Sequence, residues 1–278
     1  MKIRILLTAI ASTLISSAAL HASYFWTNAT SNGLWDYTSN NWNSDSPSTT
    51  GTTYTSGNVA FFPSWTTPGT VTIASGGVTS GPIGFQANGY NITGGTLYLA
   101  GGQGDVNIDV PLGITATISS YIDGTGVSGK AVTSGAGTLN LAGGGNFGTF
   151  EVDNISTLGF QAGTFNFANL RLINGYQSSG GVFGFTLGTT LNATTLTLNG
   201  TSLDLAGTTG LTASAYVIAT YGSLAGTFTS ANTPVGYTLD YAYNGNEIAL
   251  VQSVPEPSTW AMLLGGLGML TMFRRRRA

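Results

Sequence analysis

Glu151 and Asp153 stand two residues apart. Paired carboxylates held about 5–9.5 Å apart can hydrolyse a glycoside. Asp105, Asn107 and Asp109 alternate in the same way and resemble the opening of a calcium loop. Such a loop then needs a Gly and a later Glu, and Val110 and Ala116 fill those places. Trp26, Trp35 and Trp42 lie among Asn, Ser and Thr, where exposed indoles could stack on a sugar. Other chemistry is scarce. There is no cysteine, which excludes disulfides, thiolate zinc sites and Cys nucleophiles. The one histidine, His21, falls in an expected leader, so the mature chain lacks a Ser-His-Asp triad and most transition-metal ligands. No metal or other cofactor is expected, and an enzyme is not the expected class.

Charge narrows the partners. Charged residues are 7% of the 278, against about 25% in an average globular protein. Between residues 23 and 253 only Lys130 and Arg171 are basic, against ten acids, which leaves that section at −8. An acidic body with two cations has no electrostatic footprint for nucleic acid.

The elements that must position these residues are short strands. Residues 23–253 alternate apolar with Thr, Ser and Asn, and Gly punctuates the pattern every 8–12 residues. That is the signature of an all-β chain. The heptapeptide Gly95–Gly101 (GTLYLAG) recurs as Gly137–Gly143 (GTLNLAG), with related copies from Gly163 (GTFNFA) and Thr201 (TSLDLAG). In each copy two large apolar residues sit at i and i+2, while Tyr98, Asn140, Asn166 and Asp204 point the other way. The starts at 95, 137, 163 and 201 fit a turn of about 20 residues, used twice in the long gaps and once in the short one. A parallel β-helix or solenoid is favoured, with a β-sandwich as the alternative. The Trp-rich section Ser23 to Pro63 would then cap the open end. Tyr237, Leu239, Tyr241 and Tyr243 alternate before Asn244-Gly245, and Ile248 and Leu250 after it. This predicts an antiparallel hairpin at the C-terminal edge. Thr194-Thr195-Leu196-Thr197 and Thr70-Val71-Thr72 could start a flat Thr ladder, but no Thr column is sustained.

The two ends read as addresses. Residues 1–22 have a basic start, an apolar run and small Ala22 at the expected cleavage point, the pattern of a secretory signal peptide. Residues 254–278 run from Val254-Pro255-Glu256-Pro257 into apolar Trp260–Phe273 and then Arg274, Arg275, Arg276 and Arg277. Ser258 or Thr259 can cap a helix there. Fourteen helical residues span about 21 Å, short for a hydrocarbon core of about 30 Å. Arginines favour the cytoplasmic side, which would leave the body outside.

This tail resembles the PEP-CTERM sorting signal of bacterial exported proteins, a segment type also labelled ice-binding protein C-terminal domain. The resemblance implies that Val254, Pro255, Glu256 and Pro257 form the sorting motif and that the four arginines set topology. It implies as partners the export machinery, the membrane through the helix, and an exosortase that processes an inner-membrane precursor. The product would pass to the cell surface or the extracellular matrix. The body is similar to autotransporter-associated β-strand repeat proteins in its Trp-rich start, its repeated GT[LF]xL strands and its ending TYGSLAGTF…GYTLDYAYNGNEIALV. That implies an exported β-solenoid. The expected function is a structural surface or matrix protein; the alternative is a carbohydrate-binding module that holds exopolysaccharide on Trp26, Trp35 and Trp42.

Overall fold

The computed structural model describes residues 22–44, 50–100, 104–152, 157–173 and 181–253, together with Met262, Leu264, Gly265, Leu267 and Met269. The described residues between 23 and 253 form a β-solenoid with three faces of stacked parallel strands. The first face stacks Ser23–Trp26, Val59–Phe62, Ile83–Phe85, Val106–Asp109 and Lys130–Ser134. The second runs from Leu34–Trp35 through Thr70–Ile73, Asn91–Gly94, Thr115–Ile118, Thr138–Leu141, Thr157–Phe160, Val182–Thr186 and Ser202–Ala206 to Ser230–Ala231. The third begins with Val78–Ser80, Leu97–Leu99 and Ile122–Gly124. All these neighbours are parallel, so the sandwich alternative falls.

From Gly145 onward the third and first faces share single long strands. Gly145–Val152, Thr164–Ile173, Thr190–Asn199 and Ala215–Ala225 each serve the third face with their first half and the first face with their second. The registers skip one position at the junction, where Gly148, Ala168, Thr194 and Gly222 stack. The chain therefore bends at that column without leaving the strand.

Stacking makes the core, because each strand has one apolar side only. On the second face Val71, Ile92, Ile118, Leu141, Phe160, Phe185 and Leu205 fall in one inward column, and all are buried. A fully buried side chain of this size contributes about 1.5–3 kcal/mol. The GT[LF]xL copies behave as single strands: Leu97 and Leu99, Leu139 and Leu141, Phe165 and Phe167, and Leu203 and Leu205 are buried, while Tyr98, Asn166 and Asp204 are exposed. The copies do not share a column, however. The first and third lie on the third face, the second and fourth on the second. The motif marks a strand, not a turn, which corrects the reading of its spacing as whole turns. Residues stacked one turn apart are separated by 25, 20, 26 and 28 positions along the chain.

The C-terminal hairpin forms as expected. Tyr237–Tyr243 and Glu247–Gln252 pair antiparallel, and the latter pairs antiparallel with the strand from Ala215. Asn244 and Gly245 both take positive φ, 52° and 92°, which Asn-Gly tolerates better than other pairs. Tyr241 locks the hairpin to the solenoid: its hydroxyl accepts from the Phe228 N–H at 3.1 Å and its carbonyl accepts from the Tyr221 hydroxyl.

Candidate functional site

The residues singled out in the sequence scatter over the solenoid. Trp26, Trp35 and Trp42 come together at its N-terminal end, but as core. They are 2%, 0% and 0% exposed. Trp35 packs 5.0 Å from Trp42, 5.4 Å from Tyr54 and 5.5 Å from Phe62, measured between ring centres. Trp26 lies 5.2 Å from Trp42, edge to face. No indole face is left for a sugar, so the carbohydrate reading of these three residues is corrected: they build the cap. Buried Asn41 ties the cap together. Its amide donates to Asn32 Oδ1 at 2.6 Å and to the Leu34 carbonyl at 2.8 Å, while its Oδ1 accepts from the Thr30 N–H and hydroxyl. Asp36 closes the next turn, accepting from the Thr38 and Ser39 N–H groups. Partial burial pushes its carboxyl up, but these bonds and the Ser39 hydroxyl outweigh that and hold it below its usual 3.8.

The carboxylates are likewise engaged. Glu151 stacks between Val132 and Arg171 in register on the first face. Its Oε1 is 2.9 Å from Lys130 Nζ, and its Oε2 pairs with Arg171. Both cations of the body thus converge on one buried acid. Asp105 Oδ2 lies 3.9 Å from the same Nζ, and Asp105 Oδ1 accepts from the Lys130 N–H at 2.9 Å. Asp153 lies outside the described residues. Among the described residues no group of three or more His, Cys, Asp or Glu could hold a metal ion. Sequence inspection missed the convergence because its members are about one turn apart and nothing local links them.

The third face carries a polar column. Asn166 donates to Asn146 Oδ1 at 2.8 Å and Asn192 donates to Asn166 Oδ1 at 2.9 Å. Tyr98 and Asp123 precede them in register, and Thr220 follows. Beside this column an open cleft of about 450 Å³ is lined by Asn166, Asn192, Thr194, Thr220, Tyr221 and Asn246. Its lining holds no carboxylate, Lys, Arg or His.

The sorting motif is the remaining candidate. Val254, Pro255, Glu256, Pro257 and Arg274–Arg277 lie outside the described residues, as do residues 1–21. In the tail, Met262, Leu264, Gly265, Leu267 and Met269 are helical, and the side chains of Met262, Leu264, Leu267 and Met269 are exposed. Among the described residues no helix is long and apolar enough to cross a membrane. Residues 253–277 match the family described as PEP-CTERM protein-sorting motif. The PEP-CTERM match implies export and sorting through an exosortase, with a membrane-anchored precursor. No curated protein and no solved structure matches the chain.

Proposed function

We propose that this protein is a structural component of the bacterial surface or extracellular matrix, exported with its solenoid outside and sorted by its tail. The observation that carries the reading is the PEP-CTERM match at 253–277 on a chain whose preceding residues form a solenoid. The chemistry belongs to the processing enzyme. Pro255, Glu256 and Pro257 are its recognition motif, Trp260–Phe273 is the transient anchor, and Arg274–Arg277 keep the C-terminus inside. The solenoid itself is a scaffold without catalysis. Its support is the state of Glu151, which a hydrolase would need available and which here holds Lys130 and Arg171.

The test replaces Pro255, Glu256 and Pro257 with Ala in one variant and the four arginines with Ser in another. The first should accumulate as unprocessed precursor in the inner membrane. The second should lose its orientation or its retention. Normal processing and delivery of both variants would reject the assignment.

A further inference from the structure

We propose that Phe25, Phe61 and Trp65 form a stacking platform for a neutral polysaccharide on the outer side of the first face. In the register Tyr24 pairs with Ala60, and Phe25 with Phe61. Ala60, Trp26 and Phe62 point into the core. Alternation therefore turns Phe25 and Phe61 outward. Their rings are nearly parallel, with centres 5.2 Å apart and planes 16° apart. Trp65 flanks Phe25 at 5.6 Å and 40°. It is 44% exposed, whereas the other indoles between residues 23 and 253 are buried. Next in register after Phe61 is Gly84, where a Cβ would stand 2.6 Å from the Phe61 ring. The missing side chain lets the ring lean over the sheet.

Three features select the occupant. The first is size. Three aromatic side chains offer about 150–250 Å² each at most, and these partly cover one another. A stable protein interface needs about 800 Å² per partner. The platform suits one or two sugar rings better than a second protein surface. The second is polarity. After Gly84 the outward column continues with Asp109 and Ser134, joined by a hydrogen bond of 3.0 Å. Ring surface thus passes into hydrogen-bonding surface within about 10 Å, two strand spacings. A pyranose, with an apolar C–H face and a rim of hydroxyls, matches that sequence of surfaces. The third is charge. The body carries −8, and both of its cations are held by Glu151, away from the rings. An anionic polymer would be repelled, so of neutral and anionic polymers the neutral one fits. This inference extends the surface-protein reading but does not depend on the sorting step.

The test is affinity electrophoresis of the full chain in mild detergent through gels containing dextran, a soluble β-glucan or alginate. Retardation by a neutral glucan is expected. Trp65→Ala should weaken it at least about tenfold, and Trp65→Phe should restore part of it. Phe61→Ala should also weaken it. Unchanged thermal melting of Trp65→Ala would show that the variant is folded. A second readout uses a Trp260→Phe background, where the neutral glucan should shield Trp65 from a collisional quencher. No retardation by either neutral glucan, retardation by alginate alone, or retardation unaffected by Trp65→Ala would overturn the proposal. So would a change of oligomeric state on Trp65→Ala, which would make the patch a subunit contact. Because no arm involves processing, a failed sorting experiment and a failed binding experiment remain distinct.

Discussion

Lys130 Nζ lies 2.9 Å from Oε1 of Glu151, one turn of the solenoid further on, and Arg171 takes the other oxygen of the same carboxylate from the following turn. Three successive turns are thereby clamped through one acid that is itself buried. Lys130 and Arg171 remain part-exposed, with side chains 34% and 43% accessible, so water compensates them when the acid is removed. Glu151→Ala should cost about 1–3 kcal/mol, seen as a fall of several degrees in melting temperature. The difference from wild type should shrink at high salt. An unchanged melting temperature at low salt would show that the clamp contributes nothing.

The aromatic cap should be the most sensitive part of the N-terminal half. Trp35→Ala removes a fully buried indole that touches Trp42, Tyr54 and Phe62. The expected loss is about 3–5 kcal/mol, on the order of 10 °C in melting temperature. Trp65→Ala, at an exposed site, should stay within about 0.5 kcal/mol of wild type. Circular dichroism melts of the two variants side by side check the contrast. Equal melts would mean that the cap is not a stabilising element.

Close packing of successive turns makes a second kind of weak point. At Gly143 a Cβ would lie 2.1 Å from the Ser120 carbonyl oxygen, a contact with backbone that no rotamer relieves. Gly143→Ala should therefore lower the melting temperature clearly, while the same change at Gly148, where the space is open, should do little. Parallel melts decide it, and a Gly143→Ala protein as stable as wild type would refute the packing described for that corner.

Much of this architecture was legible in residues and some of it was not. Alternation exposed the strands, and Asn244-Gly245 between alternating runs located the hairpin, because both signals are local. The face on which a strand lies is not local. Gly95–Gly101 and Gly137–Gly143 are almost the same peptide, yet their strands Leu97–Leu99 and Thr138–Leu141 lie on different faces, since the corner between them depends on loop lengths. The long strands that serve two faces bend at Gly148, Ala168, Thr194 and Gly222, a column of mixed residue types, so no single residue type marks that corner in the sequence. The Trp residues misled for a similar reason. An indole among Asn, Ser and Thr looks exposed, but Asn41, Thr30 and Asp36 are spent on tying loops over Trp26, Trp35 and Trp42. Trp65, between Ser64 and Thr66 and close to Phe61, carries no local signal, because Phe25 and Phe61 are brought together only by the register.

Acid should loosen the N-terminal cap through Asp36. Its carboxyl is depressed in the folded chain, so its contribution is complete above the ordinary value of 3.8 and is lost as pH falls through the lower folded value. Asp36→Asn keeps an acceptor for the Thr38 and Ser39 N–H groups but cannot titrate. The stability difference between wild type and Asp36→Asn should be constant above pH 5 and change below 3.8. A difference that stays flat down to pH 2 would remove Asp36 from the account.

The proposed function rests on export of the solenoid and its delivery by the tail that matches the PEP-CTERM motif. It is tested most directly by intact mass and cell fractionation of the natively expressed protein, with and without the host exosortase. The expected product lacks about 22 N-terminal residues and the segment beyond the Pro255-Glu256-Pro257 motif, and lies in the surface or matrix fraction. Without the exosortase the tailed precursor is expected in the inner membrane. A tail that stays intact in the inner membrane of both hosts would contradict the proposed function.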